Sequence, residues 1–127
     1  QRIPGREERM REPTGLKVFV MADRLAHSVY EWTVQLPAEE KYNLTSQLRR
    51  SAISVPSNIS EGCSRESSAD FRRFVEIALG SAMELRYQLG FAVDVYSEIQ
   101  RSAAPVKEAD ELVRALMSFL RALRSES

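Results

Sequence analysis

Tyr42–Arg73, YNLTSQLRRSAISVPSNISEGCSRESSADFRR, is the stretch from which the fold is read. Within it Leu44, Leu48, Ala52, Val55 and Ile59 recur at spacings of three and four, which lines one face of a helix. Pro56 falls inside that stripe. An interior proline removes a backbone hydrogen bond and costs about 3 kcal/mol or more. Either the helix kinks there or two shorter helices meet. Ile59 keeps phase with Val55, which favours a second helix kinked at Pro56. Gly62 reads as the helix stop, because glycine is common just past helix ends. Ser67-x-x-Asp70 then resembles a capping box, with Asp in place of the usual Glu, so a new helix starts at Ser68.

Working outward, that third helix is the longest. Phe71, Val75, Ala78, Ala82, Leu85, Leu89, Ala92, Tyr96 and Ile99 alternate spacings of four and three, predicting a helix from Ser68 to about Gln100. Ala78, Gly80, Ser81, Ala82, Gly90 and Ala92 are small and would let another helix approach closely. On the other side, Val18, Ala22, Leu25, Val29, Trp32 and Leu36 form the stripe of a first helix that Pro37 ends. After a short break at Ser102–Pro105, the positions Ala109, Leu112, Leu116, Phe119 or Leu120, and Leu123 predict a fourth. Residues 1–15, with Pro4, Gly5, Pro13 and Gly15 and no apolar period, read as a flexible arm, and those before Met10 as an upstream extension. The expected architecture is all-α: one domain over 16–127, folded as an antiparallel up-and-down four-helix bundle.

Composition narrows the function classes. The chain has 127 residues, 43% hydrophobic and 28% charged, enough for one buried core. No apolar run approaches the roughly 20 residues that span a bilayer, so no membrane association is expected. The start lacks the apolar segment of a signal peptide, and the single Cys63 fits a reducing compartment, so the expected location is cytoplasmic. In that setting Asn58-Ile59-Ser60 is a chance glycosylation sequon. Eighteen basic residues against eighteen acidic ones argue against bulk coating of nucleic acid. The charge is uneven, however: Lys41–Val75 carries a net plus three, whereas Glu76–Ser97 sets Glu76, Glu84 and Asp94 against Arg86 alone.

The chain resembles the four-helix-bundle proteins encoded in intervening sequences of bacterial 23S ribosomal RNA genes. The residues that carry the likeness are Val29-Tyr30, Leu36-Pro37, Glu40 and Tyr42, the block Gln47–Ala52, Val55–Gly62, and Phe74 through Gly80-Ser81 to Glu84-Leu85. It spans about Leu16 to Ile99, and the run QLRRSAISVPSNISEG is its most specific part. The resemblance implies a ring-shaped homopentamer. More distantly the chain is similar to accessory proteins of diversity-generating retroelements, which share the bundle and ring but are typically basic.

No catalytic constellation stands out. His27 is the only histidine and lies one step off the first stripe, where a surface or boundary position is expected. A single histidine excludes a di-iron site built from two Glu-x-x-His motifs, and no zinc spacing or phosphate-cradling glycine motif occurs. The expectation is a non-enzymatic protein without cofactor, metal or small-molecule substrate. Cys63 reads as an inert thiol at a helix end. The candidate site is the arginine set Arg49, Arg50, Arg65, Arg72 and Arg73. These residues would either hold the fold and subunit interfaces, pairing with Glu61, Glu66, Asp70 and Glu76, or contact phosphates of RNA or DNA. Arg72 to Glu76 is an i,i+4 pair. Phe19, Tyr30, Phe74 and Phe91 lie off the main stripes, which predicts a second buried surface and a homo-oligomer. Membership of the family block favours the structural or interface reading of the arginines.

Overall fold

The computed structural model describes residues 11–99 and 104–126. Its long elements are α1 (Lys17–Thr33), α2 (Leu44–Cys63), α3 (Ser68–Val95) and α4 (Val106–Ser125). Short 3₁₀ turns at Pro13–Gly15 and Ala38–Glu40 precede α1 and α2. Among the described residues there is no strand. Each helix packs on its sequence neighbour, most extensively α2 on α3, and α1 meets α4 to close the bundle. The expected all-α four-helix bundle is what forms.

The stripes face inward. Val18, Ala22, Leu25, Val29 and Trp32 from α1, Leu48, Ala52, Val55 and Ile59 from α2, and Phe71, Val75, Ala78, Ala82, Leu85, Leu89 and Ala92 from α3 are all buried. In α4 the alternative at 119 or 120 resolves to Leu120, which is buried. Phe119 is half-buried and meets Phe71 edge to face, ring centroids 6.1 Å apart.

α2 runs as one helix through Pro56, not as two. Pro56 cannot donate to the Ala52 carbonyl, but its ring is buried, and Ile59 on the next turn keeps its place in the core. Gly62 does not stop the helix. It lies inside α2, one residue before the end, and no described glycine has a positive φ. Its role is close approach: a Cβ built there would stand 2.8 Å from the Phe74 Cβ and 3.3 Å from Phe71 Cδ1. The lack of a side chain lets the end of α2 press against the start of α3.

α3 begins as expected, with the Ser67 hydroxyl accepting a hydrogen bond from the Asp70 amide at 3.0 Å. It ends sooner, at Val95 rather than near Gln100, giving 28 residues and a rod of about 42 Å. Tyr96 leaves helical geometry at φ −113° and ψ 62°, yet Tyr96 and Ile99 still pack on the core. Gln100 lies outside the described residues.

Of the expected arm, residues 1–10 lie outside the described residues, whereas 11–15 pack on the bundle. The Arg11 amide donates to the Cys63 carbonyl at 2.9 Å, satisfying an acceptor at the end of α2. The Arg11 guanidinium lies 4.0 Å over the Phe71 ring.

Candidate functional site

The five arginines do not form one patch. Arg49 spans from α2 to the end of α1. Its Nε donates to Thr33 Oγ1 at 2.9 Å, one Nη donates to the Tyr30 carbonyl at 3.2 Å, and the guanidinium lies 4.4 Å over the Tyr30 ring. The last carbonyls of a helix lack intrahelical donors and carry partial negative charge, so a cation there is stabilising. Arg65 and Arg73 converge on Phe74, at 4.9 and 4.6 Å from its ring centroid. Arg65 also pairs with Glu61, and Arg73 with Asp70 at 3.4 Å.

Arg72 lines a small pocket with Arg11 and Glu126 at the start of α3. The carboxylate of Glu76, its expected partner, accepts instead from Arg124 of α4 at 3.3 Å. Arg50 is exposed, and its side chain enters no ion pair or hydrogen bond among the described residues.

Glu40 joins three elements. One carboxylate oxygen accepts from the Leu44 amide at the start of α2, 3.2 Å away, where the helix dipole favours an anion. The other accepts from the Tyr96 hydroxyl just past α3. That bond holds the Glu40 carboxyl below the usual carboxylate range and pushes Tyr96 up to about 12. The sequence marks Glu40 only as part of the family likeness; its partner lies 56 residues away.

His27 is exposed, and its Nδ1 lies 2.8 Å from the Asp23 carbonyl oxygen on the same helix. Among the described residues no serine hydroxyl is hydrogen-bonded to the ring. Cys63 is buried, and desolvation pushes its thiol up, away from the reactive thiolate. Asn58 is tied by its amide to the Ser54 carbonyl at 2.8 Å and to the Ser54 hydroxyl at 3.0 Å.

Two apolar surfaces remain outside the core. An open groove of about 960 Å³ runs between α1 and α2, with Phe19, Tyr30, Ile53 and Pro56 as its apolar walls and Asp23 and Glu61 at its edges. On the outside of α3, Ile77, Tyr87, Phe91 and Val95 are exposed, Tyr87 by 71%. With Gly80 and Glu84 they repeat at spacings of three and four, so they form a ridge on the face away from the core stripe. Phe91 and Tyr30 are among the off-stripe residues expected to be exposed; Phe74 is covered by its two arginines, and Phe19 sits in the groove. Ile77, Tyr87 and Val95 are not among the expected residues, although their periodicity, out of phase with the core, is present in the sequence.

The protein is similar in fold to a crystal structure from Bacteroides thetaiotaomicron, described as a protein with unknown function from the S23 ribosomal protein family. The TM-score is 0.70 at 25% identity, over 81% of this chain and 97% of that one. Among curated proteins none matches. The family model for 23S rRNA-intervening sequence proteins matches residues 14–118, the helices whose stripes, caps and buried glycine are described above, and the chain belongs to that family.

Proposed function

We propose that this protein is a non-enzymatic scaffold or interaction module that works as a homo-oligomer, with five subunits on the family resemblance. The observation that carries this reading is the apolar surface outside the core. The α3 ridge leaves Ile77, Tyr87, Phe91 and Val95 open to water, and the α1–α2 groove leaves Tyr30 and Ile53. Contiguous exposed apolar surface marks an interaction site. Three of the five candidate arginines support a structural role, because Arg49, Arg65 and Arg73 are already stacked on rings and hydrogen-bonded within the chain. Light scattering on the purified protein at micromolar concentration tests the reading: an oligomer, five subunits by mass, is expected, and a monomer refutes it.

One observation favours a second reading, an accessory protein that binds RNA or DNA. Arg11 and Arg72 line a pocket of about 320 Å³ beside Ser68 and Ala69 at the start of α3, where a helix N-terminus favours anions. Binding of single- and double-stranded RNA and DNA across a salt series separates the two. A steep fall of affinity with salt supports phosphate contacts, whereas no binding at low salt leaves the scaffold.

A further inference from the structure

A small pocket of about 250 Å³ lies between the start of α2 and the second half of α3, with Glu40, Asn43 and Gln47 on one side and Tyr87, Gln88 and Phe91 on the other. Gln88 is 8% exposed, and its buried carbonyl oxygen has no hydrogen-bond donor. A buried acceptor left without a donor is costly, so this oxygen marks a place where the chain alone is incomplete. Resting on the interaction-module reading, we propose that the pocket receives the guanidinium of an arginine side chain presented by a partner protein.

The polarity of the pocket calls for a donor. Gln47 Nε2 donates to Asn43 Oδ1 at 3.2 Å, and Asn43 Nδ2 donates to Glu40 Oε1 at 3.2 Å. Gln88 Nε2 turns to Glu84 Oε2 at 3.5 Å. The amide nitrogens are thus engaged within the chain, and oxygens are left for a ligand. Turning the Gln88 amide over would set its oxygen against the Glu84 carboxylate, which fixes the orientation. Glu84 does not line the pocket, and a planar amide aims its oxygen away from the acceptor of its nitrogen, here toward the pocket. The charge has the same sense. Glu40 is a carboxylate, Glu84 is a second one nearby, and no basic side chain lines the pocket. Glu40 also offsets the partial positive charge at the start of α2, so that end does not repel a cation.

The rings select the kind of cation. Tyr87 and Phe91 have centroids 6.3 Å apart and are 71% and 48% exposed. Guanidinium groups of this chain already lie over Tyr30, Phe71 and Phe74. Among the described residues none lies over Tyr87 or Phe91. A guanidinium is planar and weakly hydrated, so it stacks on a ring while its edge donates hydrogen bonds; an ammonium is a compact, strongly hydrated charge. The Gln88 oxygen is covered in the free protein, and the exposed Tyr87 ring swings aside to admit the donor. Met83 and Val95, both about half exposed, extend the apolar surface one turn to either side of the rings. Residues flanking an arginine in a protein cover that surface, whereas a free cation leaves it open to water.

Calorimetric titration of the full protein with the peptide acetyl-Leu-Arg-Leu-amide tests the site, beside its lysine and citrulline versions and agmatine. The arginine peptide should bind about tenfold more tightly than the citrulline version, which keeps the shape and loses the charge, and more tightly than the lysine version or agmatine. Gln88→Met and, separately, Tyr87→Ala with Phe91→Ala should each weaken it by about tenfold. Gln88→Met should also leave the free protein at least as stable in urea, because it removes the orphaned oxygen at similar volume. A less stable Gln88→Met protein, equal binding of the arginine and citrulline versions, or no binding of the arginine peptide overturns the site. Equal binding of the lysine version overturns the choice of guanidinium, and agmatine binding as tightly as the peptide overturns the protein partner. The peptide comparison uses the unaltered chain, so it decides even where a variant fails to fold. Light scattering on the same samples separates the two readings: a monomer refutes the assembly whether or not the peptide binds, and an oligomer that ignores the peptide overturns the pocket alone.

Discussion

Gly62→Ala offers a sharp check on how the bundle is held. Elsewhere in a helix this change is favourable by about 1 kcal/mol, because alanine loses less backbone entropy on folding. At Gly62 the new methyl would stand 2.8 Å from the Phe74 Cβ and 3.4 Å from the Phe71 carbonyl oxygen. Neither neighbour can swing aside, since a Cβ and a carbonyl oxygen are fixed to the α3 backbone. Relief requires α2 and α3 to separate across their extensive packing. Overpacking of a well-filled site costs about 1–3 kcal/mol, and the rigidity of these neighbours places Gly62 in the upper half of that range. Subtracting the propensity gain leaves a net loss of about 1–2 kcal/mol, or roughly 4–8 °C in melting temperature for a chain of this size. Gly90→Ala is the control. A Cβ there meets nothing within 4 Å, so the same substitution should stabilise by about 0.5–1 kcal/mol. Urea unfolding of the two variants beside the parent measures both. A Gly62→Ala protein as stable as the parent, with Gly90→Ala behaving as described, would refute the close-approach role.

The remaining predictions concern single contacts. Arg49→Ala should cost about 1–3 kcal/mol in urea unfolding, since its charge-assisted bonds to Thr33 and Tyr30 tie α2 to α1; Arg49→Lys should recover little because it lacks the fork, and Arg50→Ala should leave monomer stability unchanged. Ser67→Ala should cost about 1 kcal/mol by removing the α3 cap. Tyr96→Phe should destabilise most at neutral pH. The depressed Glu40 carboxyl contributes stability above its ordinary value of 4.5 that is lost as pH falls through its lower folded value. The raised Tyr96 contributes stability below 10 that is lost as pH rises through about 12. The gap between parent and variant should therefore narrow below pH 4.5 and again between pH 10 and 12, and unfolding curves across pH will show whether it does. Cys63 should react slowly with a thiol reagent at neutral pH in the native protein and quickly once unfolded, followed by absorbance.

What the sequence by itself determined are the features whose physics is local. A helix repeats every 3.6 residues, so the inward stripes, the Ser67 cap and the number of helices follow from residues a few positions apart. The α3 ridge belongs to this class too, as a second period out of phase with the first. Tertiary structure decided whatever depends on which distant residue arrives alongside. Gly62 has the composition of a helix stop, and only the approach of Phe74 makes it a packing glycine. The helix end expected near Gln100 comes at Val95, and Tyr96 turns out of the helix to bond Glu40, 56 residues earlier. Glu76 faces two arginines at plausible reach, Arg72 on its own helix and Arg124 on α4; the bundle's closure brings Arg124 to its carboxylate. Arg49 and Arg50 are neighbours of one kind in the chain. One residue of helical rotation, about 100°, aims Arg49 at the end of α1 and leaves Arg50 facing outward, so their roles separate only once α1 is packed against α2.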